Sequence, residues 1–190
     1  MSQVKISGNA SGTGVLTIAA PNTNTDRTLS LPDNTGDILT TASTTTSKVP
    51  LFWKKNSSTQ TITYGVFTKV QFDGTSGFDT GSYWDATNHR YTPQLAGYYK
   101  IEAKIRMTYS TMSQHNIQVY KNGAKLHQIA LVRGQGSAHE ANGSLIVQLN
   151  GSTDYVEIYN ALTGTGTIQI DTSTDGLAPT YVQGYLIAPT

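Results

Sequence analysis

The chain has 190 residues, a net charge of +1 and no cysteine, and only 13% of its residues are charged. Its polarity comes mainly from 29 Thr, 18 Gly, 16 Ser and 11 Asn residues, which favour strands and turns over helices. This composition argues against a helical bundle and a dinucleotide-binding α/β fold, and the missing cysteines exclude disulfides, zinc knuckles and thiol catalysis.

The first 50 residues differ from the rest, because all 17 aromatic residues lie at or after Phe52. A segment with so few large apolar groups cannot offset its own ordering entropy. It is therefore either disordered or, as its regular apolar spacing favours, packed against copies of itself. We predict an arm over residues 1–45, a linker over 46–50 and a head over 51–190.

The head is predicted to be a succession of short strands joined by turns. The clearest strand is the segment YKIEAKIRM, in which charged and apolar residues alternate. Its apolar face is predicted to consist of Tyr99, Ile101, Ala103, Ile105 and Met107. In the next strand Ile117 and Val119 share a face, and the pair Asn122-Gly123 that follows is typical of a hairpin turn.

Three further strands are predicted towards the end of the chain. The first precedes a turn at Asn150-Gly151, and its apolar face consists of Leu145, Val147 and Leu149. The second places Val156 and Ile158 opposite Tyr155, Glu157 and Tyr159. In the last, Val182 and Leu186 alternate with Tyr181, Tyr185 and Ile187. Since no segment of the head has a convincing helical period, the predicted fold class is all-β: a sandwich, a barrel or a jelly roll.

The segment FDTGSYWDATNHRYTPQLAGYYKIEAKI, residues 78–105, resembles the signature of the complement C-one-q globular head. The residues at the positions of that signature are Asp85, Tyr91, Pro93, Gly97, Tyr98 and Tyr99. The segments VYKNGAKL, GSLIVQLNGSTDYVEIY and YVQGYLIAP are similar to later blocks of the family, in the same order. The resemblance covers about residues 52–190. It implies a ten-strand jelly-roll sandwich of the tumour-necrosis-factor type, assembled as a homotrimer.

The arm has a resemblance of its own. Its segment ISGNASGTGVLTIAAPNTNTDRTLSLPDNTGDILT is similar to an N-terminal repeat of bacteriophage tail-fibre and other structural proteins, most closely over residues 19–33 and 36–39. This implies attachment to other virion proteins through strands intertwined around a threefold axis. No collagen-like Gly-X-Y repeat precedes the head.

The expected location is a virion assembled in the cytoplasm of a bacterial host. The sequence has no secretory signal at its start and no run of 18 apolar residues, so we expect no membrane insertion. It also has no basic tract that would neutralise phosphates, so we expect no nucleic-acid partner.

Six aromatic side chains are predicted to pack in the core or at the trimer interface: Phe78, Tyr91, Tyr98, Tyr99, Tyr181 and Tyr185. Pro93 is expected to fix a turn before the strand YKIEAKIRM. Gly97 is expected to allow a bend, after which Tyr98 and Tyr99 anchor the strand in the core.

The sequence contains no motif that indicates enzyme activity. The closely spaced glycines do not open a helix after a strong strand, and no Gly-x-Ser-x-Gly elbow is present. Ser137 and His139 are neighbours, but nothing in the sequence orients them, so an exposed loop is favoured over a catalytic role. We expect no enzyme activity and no cofactor.

Two residue patterns raise the question of a metal. Three histidines recur at twelve-residue intervals: His115, His127 and His139. They would form a metal site if they met at a threefold axis, but scattered surface histidines are favoured. Three carboxylates recur at six-residue intervals: Asp73, Asp79 and Asp85. Calcium binding is one interpretation and loop capping is the favoured one, so we predict no metal site.

Contacts with a ligand are predicted on exposed loops, through Trp84, Asn88, His89, Arg90, His115, Arg133 and His139. The favoured hypothesis is a fibre- or spike-type virion protein whose trimeric head binds a host surface glycan or a neighbouring virion protein by multivalent contact. The alternative is a capsid or neck decoration protein that cements the particle without a receptor. A fibre-borne depolymerase is disfavoured because paired carboxylates are missing.

Overall fold

A computed structural model describes residues 11–15, 17, 22, 24–26, 28, 49–73, 77–108, 111–134, 138–165, 167–172 and 180–190. By its internal contacts the chain divides into two units, Met1–Thr41 and Ala42–Thr190, and the second contains every strand described below. The arm predicted over 1–45 and the linker predicted over 46–50 lie largely outside the described residues, so their boundaries stay predictions.

The described residues form strands and no helix, which confirms the predicted all-β class. None of them belongs to a helix long and apolar enough to cross a membrane. Thirteen strands occur among them, where the family resemblance implies ten, and six of the thirteen are only two or three residues long. The strands are β1 (Leu51–Lys55), β2 (Gln60–Ile62), β3 (Thr68–Lys69), β4 (Phe78–Asp79), β5 (Trp84–Asp85), β6 (Arg90–Tyr91), β7 (Ala96–Thr108), β8 (Thr111–Lys121), β9 (Ala124–Arg133), β10 (Ala138–Asn150), β11 (Val156–Thr165), β12 (Ile168–Ile170) and β13 (Tyr181–Pro189).

The strands build two antiparallel sheets. In the first sheet β2, β12, β7, β13, β1 and β4 are neighbours in that order, and β10 pairs along the full length of β7. In the second sheet the order is β5, β6, β11, β8 and β9, and β3 also pairs with β11. The chain changes sheet eight times, after β2, β3, β4, β6, β7, β9, β10 and β11, so both sheets are built from strands that are distant in sequence.

The core lies between the two sheets, and the long strand β7 supplies one wall of it. The five residues predicted to form its apolar face are all fully buried, which confirms the alternation read from the sequence. Ile117 and Val119 on β8 and Ile158 and Leu162 on β11 face them from the second sheet. Burying each such aliphatic side chain stabilises the fold by about 1.5–3 kcal/mol.

Both predicted Asn-Gly turns exist, but only the first is a hairpin turn between neighbouring strands. Asn122 and Gly123 have φ angles of 54° and 78°, and Lys121 pairs with Ala124, as in a two-residue hairpin between β8 and β9. Asn150-Gly151 instead begins a crossing from the first sheet to the second. The Oδ1 atom of Asn150 accepts the backbone N–H groups of the next loop residues, Ser152, Thr153 and Asp154.

Candidate functional site

The turn between β5 and β6 is organised by one carboxylate, that of Asp85. Its Oδ1 atom accepts the backbone N–H groups of Thr87 at 3.1 Å and Asn88 at 3.0 Å. Its Oδ2 atom accepts the side-chain amide of Asn88 at 2.8 Å. This side-chain bond is the main reason why the pKa of Asp85 lies below its ordinary value. The charged carboxylate therefore caps the loop, as the favoured interpretation of its spacing predicted.

Two residues tie this turn to its surroundings. His89 adopts a left-handed φ of 50°, and its ring Nδ1 lies 2.8 Å from the carbonyl oxygen of Phe72. Arg90 Nε donates to Asp85 Oδ2 at 3.1 Å, and its guanidinium carbon lies 4.3 Å from the centre of the Tyr155 ring. A cation over an aromatic face is attracted to it, so Arg90 joins the turn to the residue just before β11.

An ion pair lies beside the same turn. Lys69 Nζ on β3 is 2.7 Å from Oε1 of Glu157 on β11, and it also donates to the carbonyl oxygen of Asn88 at 3.1 Å. Glu157 is only 6% exposed, although it lies on the side of β11 that faces away from the core. A buried carboxylate is costly unless it is paired, and Lys69 provides that partner.

Tyrosine rings cover this side of the second sheet. The rings of Tyr120 on β8 and Tyr159 on β11 stack with their centres 3.9 Å apart and 24° between their planes. Burial is the main cause that raises the pKa of Tyr159, and the carboxylate of Glu157 raises it further. We call this surface the tyrosine face. It consists of Lys69, Asp85, Asn88, Arg90, Tyr120, Tyr155, Glu157 and Tyr159.

Sequence reasoning missed most of the tyrosine face. The alternation of Tyr155, Glu157 and Tyr159 was visible and was assigned to one side of a strand, but it was given no role. Tyr120 and Lys69 come from distant parts of the chain. Only the strand pairing, which sets Tyr120 opposite Glu157 and Lys69 opposite Tyr159, brings them to this surface.

Of the seven predicted ligand contacts, the structure brings together Asn88, His89 and Arg90. Trp84 is not an exposed loop residue, which corrects its assignment. It pairs with Tyr91 on β6, and its ring centre lies 5.8 Å from that of Phe52 in the core. The two-residue strand therefore directs Trp84 inward while its neighbour in sequence caps the turn outside.

The other three predicted contacts lie elsewhere. His115 is fully buried, so its assignment as a surface contact is wrong. It shares the inner side of β8 with Ile117 and Val119, because residues two apart on a strand point the same way. Arg133 is exposed at the end of β9, away from the tyrosine face. The side chain of His139 lies outside the described residues.

The six aromatic residues predicted to pack divide into three groups by burial. Tyr91 and Tyr99 are fully buried in the core. Tyr181 is half-buried on the outer side of β13, where its hydroxyl donates to Glu102 at 3.2 Å. The remaining three are 43–52% exposed on the subunit: Phe78, Tyr98 and Tyr185. Their placement in the subunit core is thereby corrected, and their place in a trimer interface stays a prediction.

Tyr98 is exposed because side chains alternate along β7. Tyr99 lies on the inner side of the strand, so Tyr98 lies on the outer side. Gly97 is required for the close approach of two strands, and not for the predicted bend. A Cβ atom there would lie 2.5 Å from the carbonyl oxygen of Ala188, so the glycine allows β13 to approach closely.

Exposed apolar side chains gather on the outer side of the first sheet. The register places Phe78, Tyr185, Tyr98 and Ile146 on β4, β13, β7 and β10, and Ile187 extends the group along β13. We call these five residues the apolar face. A groove of about 510 Å³ opens beside the apolar face, where the edges of β9 and β10 meet, and it is lined by Ile146 together with Leu126 and His127.

The regularly spaced histidines and carboxylates are placed in different surroundings in the structure. His127 is exposed on β9 opposite Val119, whereas His115 is buried, so they do not meet and the surface interpretation is wrong for His115. Asp79 caps a loop, accepting the backbone N–H of Trp84 at 2.7 Å. Within the described part of the chain, no three His, Cys, Asp or Glu side chains are grouped as metal ligands would be.

Solved structures with very different sequences share this fold. The globular domain of zebrafish complement 1qA matches with a TM-score of 0.52 and 13% identity, over 74% of this chain and 99% of that one. Murine APRIL at pH 5.0 matches with a TM-score of 0.54 and 9% identity, over 74% and 100%. The tumour necrosis factor Eiger from S. frugiperda matches with a TM-score of 0.53 and 10% identity, over 75% and 94%.

The head therefore has the jelly-roll fold of complement C-one-q and tumour-necrosis-factor heads, as the sequence resemblance implied. Identity this low shows the fold alone. No family model matches the chain, and no curated protein sequence is similar to it.

Proposed function

We propose that this chain is a non-enzymatic structural protein of a bacteriophage particle, of the fibre or spike type, that assembles as a homotrimer. The similarity of residues 19–33 and 36–39 to a tail-fibre repeat supports attachment through the arm. The jelly-roll head supports a module that is displayed on the particle and that binds or packs there. The two parts together give an anchored trimer with three heads.

The main observation in support of the proposed trimer is the apolar face. Its five side chains are each between 43% and 63% exposed, and they lie on one side of the first sheet, on β4, β13, β7 and β10, with Lys100 between Tyr185 and Ile146. Contiguous apolar patches on a soluble protein mark contact sites, because water-exposed apolar area is unfavourable. The occupant in the proposal is a second copy of the head.

A closed ring of three copies needs two different contact surfaces, because each copy meets its two neighbours with opposite sides. The apolar face is one such surface. The other is the edge at β9, where Leu126 lines the groove and Leu131 further along the strand is also exposed. In the proposed trimer the apolar face of one copy packs against this edge of the next copy.

A trimer presents any surface site three times, and three weak contacts on one rigid assembly raise the overall affinity. The proposed role of the head is to bind a host surface glycan or a neighbouring virion protein in this way. The decoration role, in which the head only stabilises the particle, uses the same trimer and the same arm and needs no ligand.

Light scattering of the full chain after size-exclusion chromatography tests the assembly, and we expect a mass about three times the 20.4 kDa of one chain. Reconstruction of particles with and without the chain tests the rest. Loss of host adsorption by intact particles selects the attachment role. Unchanged adsorption by unstable particles selects decoration, and a particle without density for this chain overturns the proposal.

A further inference from the structure

We propose that the tyrosine face binds a neutral, hydroxyl-rich saccharide. The assignment rests on the proposed display of the head and gives its ligand-binding role a location and a ligand class. It replaces a scatter of predicted contacts with one continuous surface on the second sheet. Two of those predicted residues, Asn88 and Arg90, belong to it.

The charges of this surface favour a neutral ligand. Lys69 pairs with Glu157 at 2.7 Å and Arg90 pairs with Asp85 at 3.1 Å. Both cations of the tyrosine face are thus matched by its two carboxylates. A phosphate or carboxylate ligand would have to break such pairs, whereas hydroxyl groups can donate to the carboxylates and accept from the cations while the pairs persist.

The aromatic rings supply the apolar part of such a site. A pyranose ring has C–H groups on its faces, and these pack on aromatic rings while its hydroxyls point to polar groups around them. The stacking of Tyr120 on Tyr159 and the contact between Arg90 and Tyr155 hold the rings in place before any ligand arrives. Binding to a prearranged surface loses little side-chain entropy.

Buried amides on the same side of β8 offer unused acceptors. Gln118, which pairs with Tyr159 across the sheet, is only 2% exposed, and its Oε1 atom has no hydrogen-bond partner among the described residues. Asn116 donates to Gln128 at 2.8 Å, and its own Oδ1 atom likewise lacks a partner in the described part of the chain. Unpaired buried acceptors are unfavourable, so a ligand hydroxyl that donated to either of them would be favoured.

The location of the surface allows it to act in the assembly. The tyrosine face lies on the outer side of the second sheet, whereas the apolar face lies on the outer side of the first. The proposed contact between copies uses the first sheet and the edge of the second sheet at β9, and no residue of the tyrosine face lies on β9. Three tyrosine faces on one trimer would then contact a repetitive polysaccharide at once.

The experiment uses the full-length trimer on a printed array of defined oligosaccharides of hexoses and N-acetylhexosamines, with sulfated and sialylated ones for comparison. We expect binding to neutral oligosaccharides that changes by less than about twofold between roughly 0.05 M and 0.5 M salt, because no net charge is involved. Tyr120→Ala and Arg90→Ala are expected to weaken it by about tenfold or more each. Tyr120→Phe keeps the ring stack and is expected to retain binding.

Arg133→Ala is the matched control, since it removes an exposed arginine outside the tyrosine face and is expected to leave binding unchanged. Light scattering of every variant separates loss of the site from loss of the trimer. Saccharide binding that survives Tyr120→Ala and Arg90→Ala in an intact trimer overturns the site. Binding confined to anionic oligosaccharides, or no binding by an intact trimer, overturns the ligand class and leaves the structural role of the particle protein in place.

Discussion

The ring Nε2 atom of His115 lies 2.8 Å from the side-chain oxygen of Asn160, inside the sandwich. The amide nitrogen of Asn160 in turn donates to the sulfur of Met107 at 3.1 Å. These three residues come from β8, β11 and β7, so one chain of polar contacts joins the two sheets through the core. Buried polar groups of this kind stabilise a fold only while each keeps its partner.

Replacing His115 with alanine is therefore expected to lower the free energy of unfolding by about 2–4 kcal/mol, because it leaves a cavity and removes the partner of the Asn160 amide. Urea denaturation at a fixed protein concentration measures the effect. Val66→Ala, at an exposed position in the turn between β2 and β3, is the control and should change stability by less than about 0.5 kcal/mol. An equal stability of the two variants would contradict the structural role of His115.

The inner face of β7 could be predicted because a strand with one buried side has a period of two, and that period is written directly in YKIEAKIRM. The same rule extends from Ile117 and Val119 back to His115. Because residues two apart on a strand point the same way, the burial of His115 could have been predicted from that of Ile117 and Val119. The six short strands carry no such period, since two or three residues are too few to show one.

Trp84 illustrates what local sequence cannot supply. Its direction is set by pairing with Tyr91 and by the rings of Phe52 and Phe72 around it, and both phenylalanines lie outside the segment 78–105. The tyrosine face depends on pairing in the same way. The turn at Asn88 could be predicted as a polar loop, whereas Lys69 and Tyr120 join it only through the order of strands in the second sheet.

At Gly143 on β10 the edge of the first sheet approaches β9 of the second sheet closely. A Cβ atom there would lie 2.0 Å from the carbonyl oxygen of Ile129 on β9, and backbone cannot move aside as a flexible side chain can. Gly143→Ala is expected to destabilise the head by about 1–3 kcal/mol, as for other overpacked sites. Urea denaturation checks it, with the neighbouring exposed Ser144→Ala as control. Equal midpoints for the two variants would refute the close approach.

Asp154 connects two loops, and its lowered pKa predicts that the stability of the head depends on pH. It accepts the Asn122 side-chain amide at 2.7 Å and pairs with Lys121 at 2.8 Å, and these contacts, the first above all, hold the pKa of Asp154 below its ordinary 3.8. Since the folded pKa is lower than the unfolded one, the stabilisation is complete above about pH 4. It is lost as the pH falls through the folded value.

The free energy of unfolding of the unsubstituted chain should therefore exceed that of Asp154→Asn most at neutral pH, and the difference should shrink under acid conditions. Denaturant titrations of both proteins across this range give the comparison. Glu140→Gln, which removes the more exposed carboxylate paired with Lys104, serves as a control and should cost less at neutral pH. A difference for Asp154→Asn that stays constant down to about pH 2 would rule out the linkage.

The apolar face allows the trimer to be broken without damaging the subunit. Ile146 is 63% exposed on β10, so Ile146→Glu leaves the core intact, but in a trimer it would bury a charged carboxylate between copies, beside Lys100 on β7. We expect this variant to be a folded monomer by light scattering, with the near-ultraviolet circular dichroism of the unsubstituted head.

Val66→Glu is the matched control for Ile146→Glu. Val66 is 50% exposed in the turn between β2 and β3, outside the apolar face, and the same charge there should leave the trimer intact. If Ile146→Glu remained trimeric at micromolar concentration, the first sheet would not be the contact surface. If both variants became monomers, the effect would be one of added charge, and the contact would have to be sought elsewhere on the head.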